Sequence, residues 1–513
     1  MLLIFPPVAK PSEPPAGIAL LAATLHAAGV PCKLLDGNCE GLLWLMKQPR
    51  DAADTWSRRA VNSRERHLTS LREIRTYRSP DRYARAVSDL YRLLAIAGKE
   101  TGATVGLADY QQQGLSPLRS ADLLAAAEHP ERNPFFPWFS SRLPELLGGV
   151  RIVGFSLNYL SQALCTFALI GYVKREYPDT VVVLGGGLVT SWMARPGWCS
   201  PFGAIVDHLV AGPGEGALLA LAGVRREQQQ PRPLPAYPHL PRGDYLSPGL
   251  ILPYSAASGC WWNNCSFCPE RAEGNRYRPV PVRRVLSDLR ALSEAERPIL
   301  IHILDNAMSP ALLQGLTDSP PGANWYGFAR FGAELADPAF CRGLRASGCV
   351  MLKLGLESGD QGVLDQLGKG IDLGVASQIL TNLKQAGIAT YVYLLLGTQA
   401  ETVTEARRTL NFVIRHQESI GFLNLALFNM PIHGDEAMES GTEPFYAGDL
   451  SLYTGFRHPQ GWDRKEVRRF LEHEFKKEPA VAAILRNDPP LFTSNHAPFF
   501  ATEARINRDT EKS

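Results

Sequence analysis

Three cysteines fall within nine residues, in Ser258-Gly259-Cys260-Trp261-Trp262-Asn263-Asn264-Cys265-Ser266-Phe267-Cys268. Thiolates this crowded wrap one face of a metal centre, and iron–sulfur clusters are held by cysteine thiolates at such spacings. Three ligands rather than four leave one iron of a cubane open to bind something else. A zinc site would need a fourth ligand. His302 is conceivable for that role, but it stands in an apolar strand pattern, where a packed core histidine is the ordinary outcome. The other six cysteines, Cys32, Cys39, Cys165, Cys199, Cys341 and Cys349, read as small core residues. Nine cysteines in 513 residues are no disulfide framework. A crowded trio is what reduced thiolates give when they bind a metal, so the expected location is cytoplasmic.

The elements around the trio alternate between strand and helix. Ile299–Leu304, Asn324–Arg330, Cys349–Gly355, Ala389–Gly397 and Leu423–Phe428 read as strands, with helical patterns at 338–347, 372–386 and 401–417. Such a series makes a full or partial (β/α) barrel with its chemistry at the C-terminal ends of the strands. Upstream, Leu2–Phe5 is a buried strand ended by Pro6-Pro7, and a helix closed by Gly29 leads to a strand over Cys32–Asp36. Strand–helix–strand is the unit of a Rossmann-like, doubly wound parallel sheet. Residues 46–150 break the rhythm as a helical insertion, with an Arg-rich stretch at 58–92 that reads as a solvated face. The sheet resumes at Arg151–Ser156, continues through a helix near 161–176 to Thr180–Leu184, and takes a last strand at Ala204–Val210. Gly185, Gly186 and Gly187 follow the 180–184 run and suggest a tight loop that a ligand can approach.

The expected organisation is therefore α/β. Residues 1–227 form the Rossmann-like domain, 228–243 a Pro-rich linker, 244–430 the barrel, and 431–513 a short, mainly helical extension. The extension carries a helix near 464–477, an aromatic stretch at Phe492–Phe500 that lines a cavity or caps the barrel, and a frayed end, NRDTEKS. At roughly 100–200 residues per domain, 513 residues make about three. A net charge of +2 argues against a dedicated nucleic-acid binder, which needs a basic surplus. No apolar run approaches a transmembrane span, and the opening MLLIFPPVAK reads as a strand rather than a signal peptide.

The cysteine loop, with an aromatic before its last cysteine, resembles the radical S-adenosylmethionine (SAM) superfamily. The usual spacing there is Cys-x3-Cys-x2-Cys, and this chain has one residue more in the first gap. The variant resembles members that carry an N-terminal cobalamin-binding domain. Further matches follow in order: Leu304–Pro310, where the resemblance makes Asp305 and Asn306 contacts to the methionyl end of SAM, although the usual Gly-Gly-Glu is absent; Arg330, at a position of polar SAM contacts; and Leu354–Gly359, whose Glu357 matches a ribose contact, with Ser358 beside it. Val363–Gly370 also resembles family sequence, and Tyr393–Thr398 with Glu401-Thr402 resembles the strand and loop that close the adenine side, with Gly397 at the turn. More loosely, Pro6-Pro7, Pro14-Pro15, Leu35–Asn38, Gly154–Ser156, Gly185–Gly187 and Gly212–Glu215 resemble cobalamin-binding Rossmann-like domains, without an Asp-x-His-x-x-Gly motif. The loops after Phe5, Pro6, Ser156 and Gly185 are then the cofactor-facing ones.

This resemblance implies a [4Fe–4S] cluster on Cys260, Cys265 and Cys268, SAM chelated at the open iron, and cobalamin on the first domain. One electron from an external reductant such as flavodoxin or ferredoxin would break the SAM C–S bond. The resulting 5′-deoxyadenosyl radical would take hydrogen from an unactivated carbon, which acid–base chemistry cannot do. The implied reaction is cobalamin-dependent C-methylation of a small-molecule or peptide substrate. Two rivals stand beside it: a radical SAM enzyme without cobalamin that cyclises, rearranges or oxidises, and a non-catalytic iron–sulfur or zinc protein. Methylthiolation of tRNA is disfavoured, because the chain has neither a second N-terminal cysteine trio nor a basic C-terminal module.

Overall fold

Leu2, Leu3 and Ile4 are almost wholly buried, as befits a strand covered on both faces. This run is β1 (Leu2–Phe5) of a five-stranded sheet completed by β2 (Lys33–Asp36), β3 (Ile152–Ser156), β4 (Val181–Gly185) and β5 (His208–Val210). The computed structural model describes residues 1–48, 54–224, 232–434, 442–443, 447–490 and 495–501. Residues 228–231 of the expected linker, 492–494 of the aromatic stretch and the terminal NRDTEKS lie outside them.

The sheet order is β2-β1-β3-β4-β5, with every pairing parallel. From β1 the chain crosses to β2 through the helix Ala16–Ala27; from β3 it crosses the opposite way to β4 through Leu160–Glu176. Right-handed crossovers place these helices on opposite faces, so a switch point opens between the carboxyl ends of β1 and β3. The insertion between β2 and β3 is helical, with Thr55–Ser70 and Pro80–Lys99 at its centre. It also holds a ribbon absent from the sequence expectation, Ala103–Val105 paired with Tyr110–Gln112, whose three-residue strands are too short to show a period. Part of the Arg-rich stretch serves a buried charge: Arg59 and His67 both hold Asp89, which is 1% exposed.

A second set of strands, β6 (Ile251–Tyr254), β7 (Leu300–Ile303), β8 (Asn324–Ala329), β9 (Cys349–Glu357), β10 (Ala389–Leu396) and β11 (Phe422–Leu427), lies side by side in chain order. This is a partial (β/α) barrel. Trp325, Met351, Leu352, Leu354 and Leu394 are fully buried in it. Five of its helices start on side-chain caps, Ser309, Asp337, Asp360, Asp372 and Thr402, each accepting a backbone N–H of the first turn. Such caps contribute about 1 kcal/mol apiece and fix where each loop ends.

The chain divides into two compact units, Met1–Ile251 with Tyr446–Leu452 and Pro489–Asn495, and Leu252–Phe445 with Tyr453–Asp488 and His496–Ser513. From residue 232 onward, the stretch expected as a linker packs on the first unit. Ala236 N–H donates to the Ala19 carbonyl (2.9 Å), and Leu246 N–H to the Pro11 carbonyl (2.8 Å). Tyr237 and Tyr245 are buried among the prolines, which explains the docking of a segment read as linker from composition. In the extension, Arg464–Phe470 runs into a π turn at Leu471–Phe475, and Pro479–Leu485 packs on β11.

Candidate functional site

The cysteine loop leaves the carboxyl end of β6 through the short strand Ala257–Ser258, which pairs with Arg278–Pro279. Gly259 (φ +71°) turns the chain where a Cβ would stand 2.6 Å from the Arg276 carbonyl oxygen. Within the first gap, which is one residue longer than the usual spacing, Asn263 takes a left-handed conformation (φ +46°). Asn tolerates that region better than most residues. A second loop, 367–370, is stitched to the first. Ser266 N–H donates to the Leu367 carbonyl (3.0 Å) and Trp262 Nε1 to the Gly368 carbonyl (3.0 Å). Cβ atoms on Gly368 and Gly370 would stand 2.6 Å from the Asn264 oxygen and 2.3 Å from the Trp262 ring.

Cys265 is buried, while Cys260 and Cys268 are partly exposed. Burial pushes the Cys268 thiol up, the N–H groups of Arg271 and Glu270 pull it down, and the nearby Cys265 and Cys260 push it up again. Cys268 thus feels both of the other thiols. Among the described residues, no three His, Cys, Asp or Glu side chains close on a single-ion position. A cubane gives each thiolate its own iron and asks for no such convergence, so this donor set fits a [4Fe–4S] cluster. His302 is occupied elsewhere, stacked on Tyr326 (4.3 Å between centroids) with Lys353 Nζ 3.3 Å from its Nε2.

Two cations and a carboxylate stand beside the thiols. Arg330 follows β8, is 9% exposed, and lies with its guanidinium carbon 4.0 Å from the Trp262 ring centre. Burial lowers its pKa, and Cys265, Cys260 and Glu357 draw it back up. Glu357, at the end of β9, takes φ +69° beside a bulge in the β9–β10 pairing. Its Oε1 accepts from Lys369 Nζ at 2.7 Å. Strained non-glycine backbone of this kind persists where the surroundings over-determine it. The sequence offers Trp261 and Trp262 either as a shield of the cluster or as ordinary packing, and it does not assign Lys369, Gly368 or Gly370 to the site.

The remaining expected contacts are spread more widely. Asn306 is exposed and donates to the Gly259 carbonyl (3.4 Å), which puts it on the cysteine loop. Asp305 accepts from Ala256 and Ala257 N–H (2.7 and 3.0 Å), so its carboxylate holds the start of that loop. The Ser358 hydroxyl is buried against Thr409 (3.1 Å) and Asp360 N–H. Gly397 (φ +82°) donates its N–H to Glu401 Oε2 (2.6 Å), which also accepts from Trp462 Nε1 (3.1 Å). Burial pushes the Glu401 carboxyl up to about 7, and its Oε1 has no hydrogen-bond partner among the described residues. Gly397, Leu427, Phe428, His458, Trp462 and Arg464 line a cleft of about 270 Å³ there.

In the first unit, the carboxyl edge brings together Phe5, Pro6, Ser156 and Gly185–Gly187. Gln162 pins it: its Nε2 donates to the Pro6 carbonyl (2.7 Å), and its Oε1 accepts from Asn158 and Tyr159 N–H. Asn158 spans from Ser156 to Gly187 N–H (2.9 Å). Gly186 takes φ +111°, and a Cβ there would stand 2.3 Å from the Leu157 oxygen.

No family model matches the chain. It is 25% identical over 229 residues to an uncharacterized methyltransferase of Pyrococcus horikoshii, covering 41% of this chain. It spans about half (50%) of that relative's length. Its fold is similar to that of the radical SAM methyltransferase TsrM from Kitasatospora setae, solved with cobalamin and a [4Fe–4S] cluster bound, with TM-score 0.50, 14% identity, and coverage of 85% of this chain and 74% of that one. The same enzyme with tryptophan substrate and a SAM analogue bound gives TM-score 0.51 at 16% identity, over 85% and 75% of the two chains. No helix among the described residues is long and apolar enough to cross a membrane. In fold, with a parallel sheet of switch-point order followed by a half-barrel that carries three thiols on its first loop, the chain is similar to that radical SAM methyltransferase.

Proposed function

We propose that the chain is a radical SAM enzyme that binds a [4Fe–4S] cluster on Cys260, Cys265 and Cys268 and carries out cobalamin-dependent C-methylation of an unactivated carbon in a small-molecule or peptide substrate. The observation that carries this reading is the meeting of three thiols with Glu357, Lys369 and Arg330 at the carboxyl end of a half-barrel. When bound, the cluster and SAM supply a carbon radical after one-electron reduction by a donor such as flavodoxin or ferredoxin, and cobalamin supplies a methyl group.

The chain's own residues hold, orient and exclude water. The three cysteines anchor one face of the cluster and leave one iron open. Trp261 and Trp262, tied to the Met308 and Gly368 carbonyls, wall the loop from solvent. Lys369 fixes one oxygen of Glu357, and the other is the oxygen to which a SAM ribose hydroxyl would donate. The Gly397 turn, clasped by Glu401, shapes the adenine side. In the first unit, loops already pinned by Gln162 and Asn158 offer backbone and glycine to the corrin ring.

The test is metal content. Protein purified anaerobically, reconstituted with iron and sulfide and given hydroxocobalamin, is freed of unbound material and its iron and cobalt counted. Both metals, with 5′-deoxyadenosine formed from SAM on reduction, are expected. Iron without cobalt overturns the methylation reading and leaves a radical SAM enzyme of another kind. Zinc without iron overturns the whole proposal.

A further inference from the structure

Arg330 matches a position of polar SAM contacts, yet two loops of the chain itself engage its guanidinium. One guanidinium nitrogen, Nη2, donates to the Lys369 carbonyl oxygen. The face of the fork lies on Trp262 (4.0 Å) and more distantly on Trp261 (5.8 Å). Its charge acts on Cys265, the buried member of the trio, and on Cys260. Edge, face and charge are thus committed to the two loops that carry and brace the cysteines.

We propose that Arg330 is a positioning residue for the cluster: a fixed cation stacked on the cysteine loop that ties it to the 367–370 loop and raises the reduction potential of the cluster. The inference rests on the radical SAM reading above. A cluster gains one negative charge on reduction, so a permanent cation beside one of its ligands favours the reduced form. Charge and hydrogen bonds at the sulfurs are the levers by which proteins set this potential. Arginine suits the place where lysine would not. It keeps its charge when buried, donates from a planar fork to a carbonyl, and stacks on an indole. The loop it braces is the one with the additional residue, where Gly368 and Gly370 have been cleared to let the two loops touch.

The experiment uses the full chain, reconstituted anaerobically, as wild type and as Arg330→Gln, Arg330→Lys and Trp262→Leu. The midpoint potential is read by electron paramagnetic resonance during a redox titration, with iron content and SAM affinity measured on the same samples. Arg330→Gln is expected to keep its iron and shift the midpoint to more negative potential. Arg330→Lys is expected to restore part of the shift, and Trp262→Leu to give a smaller shift in the same direction, all with wild-type SAM affinity. An unmoved midpoint in Arg330→Gln overturns the proposal, and a loss of SAM affinity with that unmoved midpoint returns Arg330 to SAM. If Arg330→Gln takes up no iron, an unmoved midpoint in Trp262→Leu overturns it. Wild-type protein that takes up no cluster fails the function proposed above instead.

Discussion

The carboxyl ends of the two parallel sheets are built from different materials. At the half-barrel, charged and soft side chains crowd together: three thiols, Arg330, Lys369 and Glu357. At the first sheet the polar side chains Gln162 and Asn158 lock loops, and what stands exposed there is Gly187 with the apolar and aromatic side chains of Leu160 and Tyr159, and no charged cluster among the described residues. The first arrangement suits a small, charged, chelated group whose electronics the protein must set. The second suits a large flat ring that needs room and few directed bonds. Fold alone does not make this distinction, since both edges are ordinary places for a ligand in an α/β protein.

The sharpest way to break the comparison is to remove one thiol. Cys265→Ala is expected to abolish iron uptake and reductive SAM cleavage while leaving cobalt uptake at the first sheet intact. Metal analysis of the reconstituted variant checks both halves. Retained SAM cleavage would sink the assignment of the trio.

Each edge also buries a carboxylate at a strand end, and pH separates the two regions. Burial pushes Glu401 from 4.5 up to about 7, and it pushes Asp36, which holds Tyr245 Oη (2.7 Å) and Cys39 N–H, from 3.8 up to about 6. A raised carboxyl pKa means that the folded state keeps a proton the unfolded chain has lost. Stability is then greatest below the unfolded pKa and falls as pH rises through the window, for Glu401 between 4.5 and about 7. The full window is worth about 3 kcal/mol for a group this deeply buried. Glu401→Gln keeps both accepted hydrogen bonds through its carbonyl and should flatten that slope. Denaturant unfolding near pH 5 and near pH 8 measures it; an undiminished slope would place the titration elsewhere.

The half-barrel was legible in sequence because its strands are largely apolar runs, such as Leu300–Ile303 and Cys349–Leu356, interrupted only by single residues such as His302 and Lys353. The first barrel strand was not, because Pro253 interrupts Ile251–Tyr254. The three cysteines stood out by chemistry and spacing. Lys369 did not, since its role exists only once the 367–370 loop touches the cysteine loop. Asp305 and Ser358 have residue types suited to a ligand. Whether such a group faces solvent or a backbone N–H is decided by tertiary packing, and here Ala256, Ala257 and Thr409 face them.

Gly186→Ala tests the glycine-built edge. Its φ of +111° is open to glycine, and the new Cβ would meet the Leu157 oxygen at 2.3 Å. The strain is of order 1–3 kcal/mol. Cobalamin uptake, read from the corrinoid absorption, is expected to fall while iron uptake stays at the wild-type level, the mirror image of Cys265→Ala. A variant that loses iron and keeps cobalt would reverse the assignment of the two edges.

The smallest effect belongs to Asn263, and it asks whether the half-barrel's site also depends on backbone. A left-handed residue stands in the longer gap between Cys260 and Cys265, and its side chain is exposed. Alanine there should cost about 1 kcal/mol, because its Cβ crowds the next carbonyl and it lacks the local hydrogen bonding that eases Asn into this region. Glycine should cost little, having no Cβ to place. Thermal unfolding of the reconstituted protein, with the rate of iron loss to a chelator, is expected to rank Asn263→Ala below wild type and Asn263→Gly beside it. If alanine matches wild type, the longer loop is held by Trp262, Arg330 and the 367–370 contacts alone, and the contrast between a side-chain-built and a backbone-built edge becomes sharper still.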